Sequence, residues 1–365
     1  YWVSEFDVDG IRLDAADVLD FDFMRMLRRT AEEVKPDFWL MGEVIHGDYS
    51  RWVNGETLHS VTNYALHKAL YSGHNDHNYF EIAHTVKYLQ NMGNLDLYNF
   101  VDNHDVERIY TKLSNKAHFT PVHILLYTLP GVPSIYYGSE FGIEGRKERS
   151  SDDSLRPALS LDDYETALGD NPCTALIAAL GQIRQHTPAL SYGSYAELHL
   201  TNRQFAFARD LNDVRVVVTV NNDDNAASMD LPAGNSVEYI GALSGQKVAV
   251  QDGRINVTVP ANSGEIWVPS GDMPEYKPFK VEISVKEETV TDEESIPADS
   301  EAPSSATEPV QFDPNKSPED MSVAELQAAI LAKMANNGPV SDQMKKTVNE
   351  NIWHDSLVNW LKSFR

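Results

Sequence analysis

Hydrophobic and polar positions change their period once along the 365 residues of this chain. Up to residue 191, short apolar runs alternate with stretches of helical period, an order typical of βα units around a parallel sheet. The runs with strand character are Val8 to Leu13, Phe38 to Met41, Ser60 to Asn63, Leu97 to Val101 and Pro133 to Tyr137. A closed TIM (β/α)8 barrel needs eight strands, so residues 1–191 are predicted to form part of one.

Helical stretches separate the predicted strands. The first begins after Asp20, carries Leu27, Ala31 and Val34 on one face and ends before Pro36. Further helices are expected over Tyr79 to Met92, Pro121 to Leu129 and Cys173 to Gln185. Each predicted strand is thus followed by helical material.

From residue 192 the pattern becomes all-β. Alternating segments such as Phe205 to Arg209, Val214 to Val220, Ser236 to Ile240 and Ile255 to Val259 are separated by Asn, Asp and Gly residues. Residues 192–270 are therefore predicted to form an antiparallel β-sandwich.

The last part of the chain contains two further segments. Residues 271–318 are rich in Pro, Ser, Ala and Glu, a composition that predicts an acidic disordered linker. Residues 319–365 are predicted to form a helical tail with two amphipathic stripes. The stripes consist of Met321, Leu326, Ile330, Leu331 and Met334, and of Ile352, Trp353, Leu357, Trp360 and Leu361. They are expected to pack together or on the main body, or to form an interaction module.

Charge and cysteine content narrow the range of partners. With 55 acidic against 30 basic residues the formal charge is −25, which disfavours nucleic acid and anionic membranes as partners. No apolar run approaches the ~18 residues that predict a membrane span. The single cysteine, Cys173, excludes a disulfide framework and a multi-cysteine metal site, and no metal site is predicted.

Candidate chemistry begins in the segment from Asp9 to Asp17. Arg12 and Asp14 are two positions apart on a predicted strand, so their side chains share a face. The positive charge of Arg12 favours the ionised form of Asp14, which a carboxylate nucleophile requires. A structural ion pair is the alternative interpretation.

A second candidate, Glu43, ends the apolar run that begins at Trp39. A carboxyl group held at a strand's end among apolar neighbours could give a proton to a leaving oxygen, although an exposed or capping glutamate would look the same in sequence.

The third segment, from Phe100 to Asp105, follows another predicted strand. Its two acids and His104 could bind a metal, hold sugar hydroxyls or form a loop network.

The three segments together are more specific than each one separately. Asp14, Glu43 and Asp105 follow separate parallel strands, and equivalent strand ends meet on one face of a barrel, where its active sites lie. Two carboxyl groups about 5 Å apart make a retaining glycosidase. A third carboxylate can hold hydroxyl groups of the distorted sugar.

These segments resemble three of the four signature regions of the α-amylase family, in the family's order, and they are followed by its strand-eight motif at Pro130 to Glu140. The resemblance covers roughly residues 1–270 and implies a barrel with a C-terminal sandwich. It also implies that Asp14 is the nucleophile, that Glu43 is the acid and later the base, and that Asp105 is the third acid.

By the same resemblance, Arg12 orients and ionises Asp14, and His104 binds the sugar ring at the cleavage site. The family's first signature region is absent, so the chain is expected to start at barrel strand four. A start at Tyr1, without an initiator Met or a signal-like segment, agrees with an N-terminal truncation. Such a partial barrel has two open edges, and the isolated chain is expected to be inactive although its parent protein is active.

Two short segments, Glu43 to His46 and Val61 to Tyr64, resemble the neopullulanase, cyclomaltodextrinase and maltogenic amylase branch of the family. The branch implies that His46 contacts sugar, that the protein is cytoplasmic and that its full-length form can be a homo-oligomer. Asp17 and Val18 depart from the branch, and Val18 replaces a His that helps to hold calcium in many relatives. No cofactor is therefore expected, apart from calcium at a site that looks incomplete.

Three functions are compatible with these residues. The leading one is a retaining hydrolase of α-1,4-glucosidic bonds in starch-derived oligosaccharides or cyclodextrins. A transglycosidase with the same residues differs only in the acceptor, which is a sugar in place of water. A non-catalytic sugar-binding relative would have lost one or more of the three acids, and all three are present here.

Overall fold

A computed structural model describes residues 1–272, 316–318, 321–336 and 361–362. The chain divides into two units, Tyr1–Glu287 and Glu288–Arg365. The first unit contains the candidate site residues, and the second contains the predicted helical tail.

Five short parallel strands follow one another in the first unit. They are β1 (Gly10–Leu13), β2 (Trp39–Gly42), β3 (Ser60–Val61), β4 (Tyr98–Asn99) and β5 (Val132–Pro133). β1, β2 and β3 form one sheet and β4 and β5 another, and a parallel bridge between Thr62 and Tyr98 joins the two sheets. Among the described residues β1 and β5 have one strand neighbour each, which leaves two open edges. The predicted part of a barrel, with five consecutive parallel strands, is confirmed.

Nine α-helices lie in residues 1–272, one before β1 and the others between and after the parallel strands. They are α1 (Trp2–Phe6), α2 (Phe21–Val34), α3 (Tyr64–Asn75), α4 (Tyr79–Gln90), α5 (Ile109–Lys112), α6 (Phe119–Thr128), α7 (Ala167–Asp170), α8 (Pro172–His186) and α9 (Pro188–Tyr192). Asp20 caps α2 as predicted, because its Oδ1 accepts the backbone N–H of Phe23 at 3.0 Å. Helix α2 packs through Met24 and Ala31, and it leaves Val34, which the sequence places on the same face as Ala31, 58% exposed.

The last two parallel strands are shorter than the sequence predicts. Tyr136 and Tyr137 were expected to continue β5, but both lie in the loop that follows it. Their rings lie 4.1 Å and 5.2 Å from the guanidinium carbon of Arg108, so cation–π contact takes the place of sheet pairing. The chain then turns at Gly138, whose φ of 86° favours glycine.

The rest of the first unit is an antiparallel domain. Its strands are β6 (Ser194–Leu200), β7 (Gln204–Leu211), β8 (Val214–Asn221), β9 (Ala227–Pro232), β10 (Glu238–Gly241), β11 (Lys247–Ala249), β12 (Arg254–Val259) and β13 (Ser263–Pro269). Six of them form a sheet in the order β11-β10-β13-β8-β7-β6, and β12 pairs with β9. Trp267 and Val217 of the large sheet share a core with Ile255 and Val257 of the pair. The predicted antiparallel domain is confirmed.

Helix α6 joins the two parts of the first unit. All of its residues except Tyr127 are buried. It contacts α3 and α8 on the side of the parallel strands, and β8 and β13 on the side of the antiparallel sheet. One apolar core therefore continues from α3, α4 and α8 into the antiparallel domain.

The second unit contains α10 (Val323–Asn336). Ser322 and Glu325 form a capping box at its start, with Ser322 N–H donating to Glu325 Oε2 at 2.7 Å and Glu325 N–H donating to Ser322 Oγ at 3.3 Å. Of the first predicted stripe, Leu326, Ile330, Leu331 and Met334 lie on this helix, and Met321 lies two residues before it. The second stripe, apart from Leu361, and most of the predicted linker lie outside the described residues. None of the helices in the described ranges has the length and apolar character to cross a membrane.

Candidate active site

Asp14 is the first residue beyond β1, and Arg12 lies two residues before it. Because alternate residues of a strand share a face, Arg12 Nη1 reaches to 3.3 Å from Asp14 Oδ1. Ala15 has a left-handed φ of 43°, which turns the chain sharply after the acid. The Asp14 side chain is 84% exposed, so its carboxylate stands at the carboxyl end of β1 where a ligand can reach it.

Glu43 lies at the same end of the neighbouring strand β2. Gly42 precedes it, and a Cβ there would meet two neighbouring side chains at 2.5 Å and 2.7 Å, so glycine is required for this close packing. Glu43 Oε2 lies 3.1 Å from Arg12 Nη2 and accepts the backbone N–H of Ala15 at 3.3 Å. One guanidinium therefore bridges the carboxylates of Glu43 and Asp14.

Tyr64, the first residue of α3, links Glu43 to the loop after β4. Its hydroxyl group donates to Glu43 Oε1 at 3.4 Å and accepts from Asn103 Nδ2 at 3.2 Å. Asn103 Oδ1 in turn accepts the backbone N–H of Asp105 at 2.8 Å. Burial raises the pKa of Tyr64, which keeps the phenol protonated as a donor. The three predicted acids thus belong to one network of contacts.

The carboxylate of Asp105 lies between the side chains of His104 and Arg156. His104 Nε2 lies 3.1 Å from Asp105 Oδ2, and Arg156 Nη2 lies 2.9 Å from Asp105 Oδ1. Arg156 also donates from Nε to the carbonyl oxygen of His104 at 3.0 Å, and it pairs with Asp152 at 3.2 Å. Arg156 therefore fixes both the side chain of the third acid and the backbone beside it.

The sequence did not identify Arg156, Tyr64 and Asn103 as site residues. Arg156 lies in an irregular loop with no hydrophobic period, and only its position after the last parallel strand places it near the strand ends. Tyr64 and Asn103 lie within segments that carry the resemblance, but their hydrogen-bonding role depends on distances that spacing does not give.

An apolar floor supports this network. The ring of His67 stacks on Phe100 with centroids 4.9 Å apart, and it meets the Tyr64 ring edge-on at 6.1 Å. Burial lowers the pKa of His67 to about 3, so its ring stays neutral near neutral pH. His67 therefore acts as a packing group beneath the site, and its charge does not contribute there.

Five of the six predicted site residues come together in this network. His46 is exposed, and in residues 1–272 no hydrogen bond or ion pair joins it to Asp14, Glu43 or Asp105. Its contact with sugar stays a prediction. The residues that meet are Asp14, Glu43, Asp105, Arg12 and His104.

Asp17 and Val18 are the positions at which the sequence departs from the family it resembles, and they raised the question of a calcium site. Asp17 and Val18 lie in a short 3-10 turn, Ala16–Val18, and Val18 is 78% exposed. Within the part of the chain that the structure describes, no three His, Cys, Asp or Glu side chains are grouped to hold a metal ion. In that turn Asp17 is the one residue with a carboxylate donor, and the exposed Val18 offers no side-chain ligand for a cation.

A cavity of about 490 Å³ lies away from these acids. Its lining includes Leu97 and Gly131, which precede β4 and β5, together with Tyr195 and Arg209 of the antiparallel domain. None of the three acids lines it, because they follow their strands while Leu97 and Gly131 precede theirs. The cavity is therefore separate from the candidate active site.

Known proteins resemble this chain over both parts of the first unit. Residues 1–188 match the family model described as alpha amylase, catalytic domain, and residues 193–267 match the alpha-amylase C-terminal domain. A cyclomaltodextrinase of Thermoanaerobacter pseudethanolicus (strain ATCC 33223 / 39E) is 30% identical over 229 residues, or 61% of this chain and 38% of that protein. Neopullulanase 2 of Thermoactinomyces vulgaris is 27% identical over 277 residues, or 73% of this chain and 46% of that protein.

A solved structure of a cyclomaltodextrinase has the same fold, with a TM-score of 0.65 at 23% identity over 73% of this chain and 46% of that chain. This chain spans 38% and 46% of the lengths of the two relatives above. The catalytic-domain model covers 188 of the 365 residues, more than half. The chain therefore belongs to the α-amylase family.

Proposed function

We propose that the polypeptide containing this chain is a retaining glycoside hydrolase that cleaves α-1,4-glucosidic bonds in starch-derived oligosaccharides or cyclodextrins. The observation that carries the proposal is the position of Arg12, whose terminal nitrogens lie 3.3 Å from Asp14 and 3.1 Å from Glu43. It holds two carboxyl groups side by side, as a retaining mechanism requires. The names of the relatives, cyclomaltodextrinase and neopullulanase, support the substrate class.

In the first step Asp14 attacks the anomeric carbon while the bond to the leaving oxygen breaks. Glu43 gives its proton to that oxygen, so the leaving sugar departs as an alcohol and a glycosyl ester of Asp14 remains. The exposure of Asp14 and the positive charge of Arg12 suit a nucleophile. The Glu43 side chain is 13% exposed and accepts a hydrogen bond from Tyr64, which suits a carboxyl group that must keep a fixed direction.

In the second step Glu43, now a carboxylate, takes a proton from water. The water oxygen attacks the anomeric carbon and expels Asp14, which restores both acids. Positive charge develops on the sugar in both transition states, and Asp105 is the carboxylate available to stabilise it. Arg156 and His104 hold Asp105 in place, and their remaining N–H groups can donate to sugar hydroxyls.

The proposal is tested in the full-length natural polypeptide that contains this chain. We expect Asp14→Asn and Glu43→Gln each to lower kcat on maltodextrin by roughly a thousandfold or more. Asp37→Asn is the matched control, because Asp37 is an exposed turn residue between α2 and β2, and its activity should stay within about twofold of the unsubstituted enzyme. Normal cleavage of maltodextrin by the Asp14→Asn protein would refute the mechanism.

The same assay separates hydrolysis from sugar transfer. With maltotriose as substrate, a hydrolase gives only shorter products, whereas transfer of the glycosyl group from Asp14 to a second sugar gives products longer than the substrate. We expect the shorter products to dominate. Dominant longer products would assign a transglycosidase that uses the same acids.

A further inference from the structure

A buried carboxylate closes the loop that carries Asp105. Asp102 follows β4 and is 2% exposed, and its Oδ2 accepts the backbone N–H of Ile109 at 2.7 Å. This bond joins the two ends of the loop over residues 102–109, which also contains His104. The place of Asp105 therefore depends on a side chain that has no direct contact with its carboxylate.

Arg108, near the end of the same loop, is fully buried and joins the loop to two other segments. Its Nη1 donates to the carbonyl oxygen of Tyr137 at 2.6 Å, and its Nη2 donates to the carbonyl oxygen of Leu155 at 2.8 Å. The guanidinium carbon lies 4.1 Å from the centre of the Tyr136 ring. Arg108 thus fixes the loop against the segment after β5 and against the residue that precedes Arg156.

The hydroxyl group of Ser139 connects the two buried charges. Arg108 Nη1 donates to Ser139 Oγ at 3.1 Å, and Ser139 Oγ donates to Asp102 with its oxygen 2.8 Å from Oδ2. A buried charge without a partner is strongly destabilising, so each of these side chains makes the burial of the others tolerable. Burial raises the pKa of Asp102 to about 6, although the bonds from Ile109 and Ser139 act in the opposite direction.

We propose that Asp102, Ser139 and Arg108 form a positioning unit that sets where the Asp105 carboxylate and the Arg156 guanidinium lie at the sugar being cleaved. Asp105 and Arg156 are themselves paired at 2.9 Å, so a shift of either segment moves both groups. Misplacement of a catalytic group by about 1 Å can lower a rate a hundredfold. The inference rests on the proposed function, because it concerns the third acid of that mechanism.

Ser139→Ala is the most direct test, since it removes one hydroxyl and adds no bulk. In the full-length polypeptide we expect kcat on maltodextrin to fall about tenfold to a hundredfold, with KM changed by less than about threefold. Ser60→Ala is the matched control, because Ser60 Oγ is buried in β3 and has no hydrogen-bond partner in the described part of the chain. Its kcat should stay within about twofold.

The pH profile distinguishes positioning from a purely structural role. Loss of the Ser139 hydroxyl removes a bond that favours the ionised form, so it should raise the pKa of Asp102. The other charged groups that face Asp102, namely Arg108, Glu140 and Lys112, are unchanged by the substitution. We therefore expect the acidic limb of kcat to move to higher pH by about half a unit or more in Ser139→Ala, and to stay in place in Ser60→Ala.

Three outcomes decide the matter. A Ser139→Ala enzyme with the kcat and pH profile of Ser60→Ala would overturn the inference and leave the proposed function standing. A fall in kcat that only matches a fall in the folded fraction, measured by circular dichroism, would also overturn it. Absence of turnover in the unsubstituted polypeptide would refute the proposed function first, and the inference with it.

Discussion

Tyr64 occupies the point in the site where the two halves of the network meet. Its hydroxyl donates to Glu43 and accepts from Asn103, which in turn fixes the backbone of Asp105. A hydrogen bond to a charged group contributes about 1.5–3 kcal/mol, and each 1.36 kcal/mol of lost transition-state stabilisation corresponds to about tenfold in rate. One phenolic oxygen therefore couples the proton donor to the third acid.

We expect Tyr64→Phe to lower kcat/KM on maltodextrin roughly tenfold in the full-length polypeptide, because Glu43 loses a bond and Asn103 loses its acceptor. Tyr195→Phe is the control, since the Tyr195 hydroxyl is buried in β6 and has no partner among the described residues. Steady-state kinetics of both variants measure the difference. Equal kcat/KM values for the two would show that the Tyr64 hydroxyl contributes nothing to the reaction.

The candidate site was predictable as far as residue type and strand position decide it. Asp14, Glu43 and Asp105 each follow a parallel strand, and the common direction of those strands brings their ends to one face. Arg156 was not predictable, because its contact with Asp105 depends on the path of an irregular loop. Hydrophobic period carries no information about such a path.

At the scale of elements, hydrophobic period located helices better than short strands. Helix α2 has a capping residue, and its apolar positions recur with helical period over about four turns, so its bounds follow from the sequence. β4 and β5 pair over two residues each, and whether neighbouring residues join a strand is decided by tertiary contacts such as the stacking of Tyr136 on Arg108. Helix α3 was not predicted, since His, Lys and Gly interrupt its apolar positions and it is stabilised by packing.

A buried histidine on helix α6 predicts that the stability of the protein depends on pH. His123 on this helix is fully buried, and burial lowers its pKa to about 4, against about 6.5 in an unfolded chain. The neutral ring is therefore compatible with the fold, so His123 does not lower the free energy of unfolding above pH ~6.5. The free energy of unfolding decreases as the pH falls from ~6.5 toward 4, because in this range the unfolded state binds a proton that the folded state does not.

At 1.36 kcal/mol per pH unit, His123 should destabilise the protein by about 2 kcal/mol between pH 6.5 and pH 5. We expect His123→Gln, which cannot take up this proton, to lose correspondingly less stability on going from pH 7 to pH 5. Urea unfolding at the two pH values measures the difference. His84→Gln, an exposed substitution on α4, is the control, and an equal acid sensitivity of both variants would contradict the assignment.

At the scale of the whole molecule, the parallel strands have support on one side. α6 and the antiparallel domain share a continuous core with Val101 and Ile109, which lie at the two ends of the loop with Asp105, and Ile135 after β5 packs against this core. The two outer strands of the parallel set, β1 and β5, each have a strand neighbour on one side only among the described residues. Apolar groups near the β1 edge are correspondingly exposed, with Trp2 at 63% and Phe6 at 59%.

This asymmetry predicts that residues 1–365, produced separately, do not turn over maltodextrin, whereas the full-length polypeptide does. Asp14 directly follows β1, a strand at an open edge, and Arg12 is the one residue in the described ranges whose side chain bonds to it. A nucleophile held from one side in water loses the fixed geometry and the exclusion of solvent that make its attack fast. Unpaired edges and exposed Trp2 and Phe6 should also make the separate chain self-associate.

Reducing-sugar release by both purified proteins measures the effect, together with light scattering to detect association. The Asp14→Asn version of each protein sets the background, because any activity that survives this substitution comes from a contaminant. Turnover by the separate chain within about tenfold of the full-length enzyme, and abolished by Asp14→Asn, would contradict the prediction. It would mean that Arg12, Tyr64 and the core beneath them are enough to hold the three acids in their reactive geometry without a neighbour for β1.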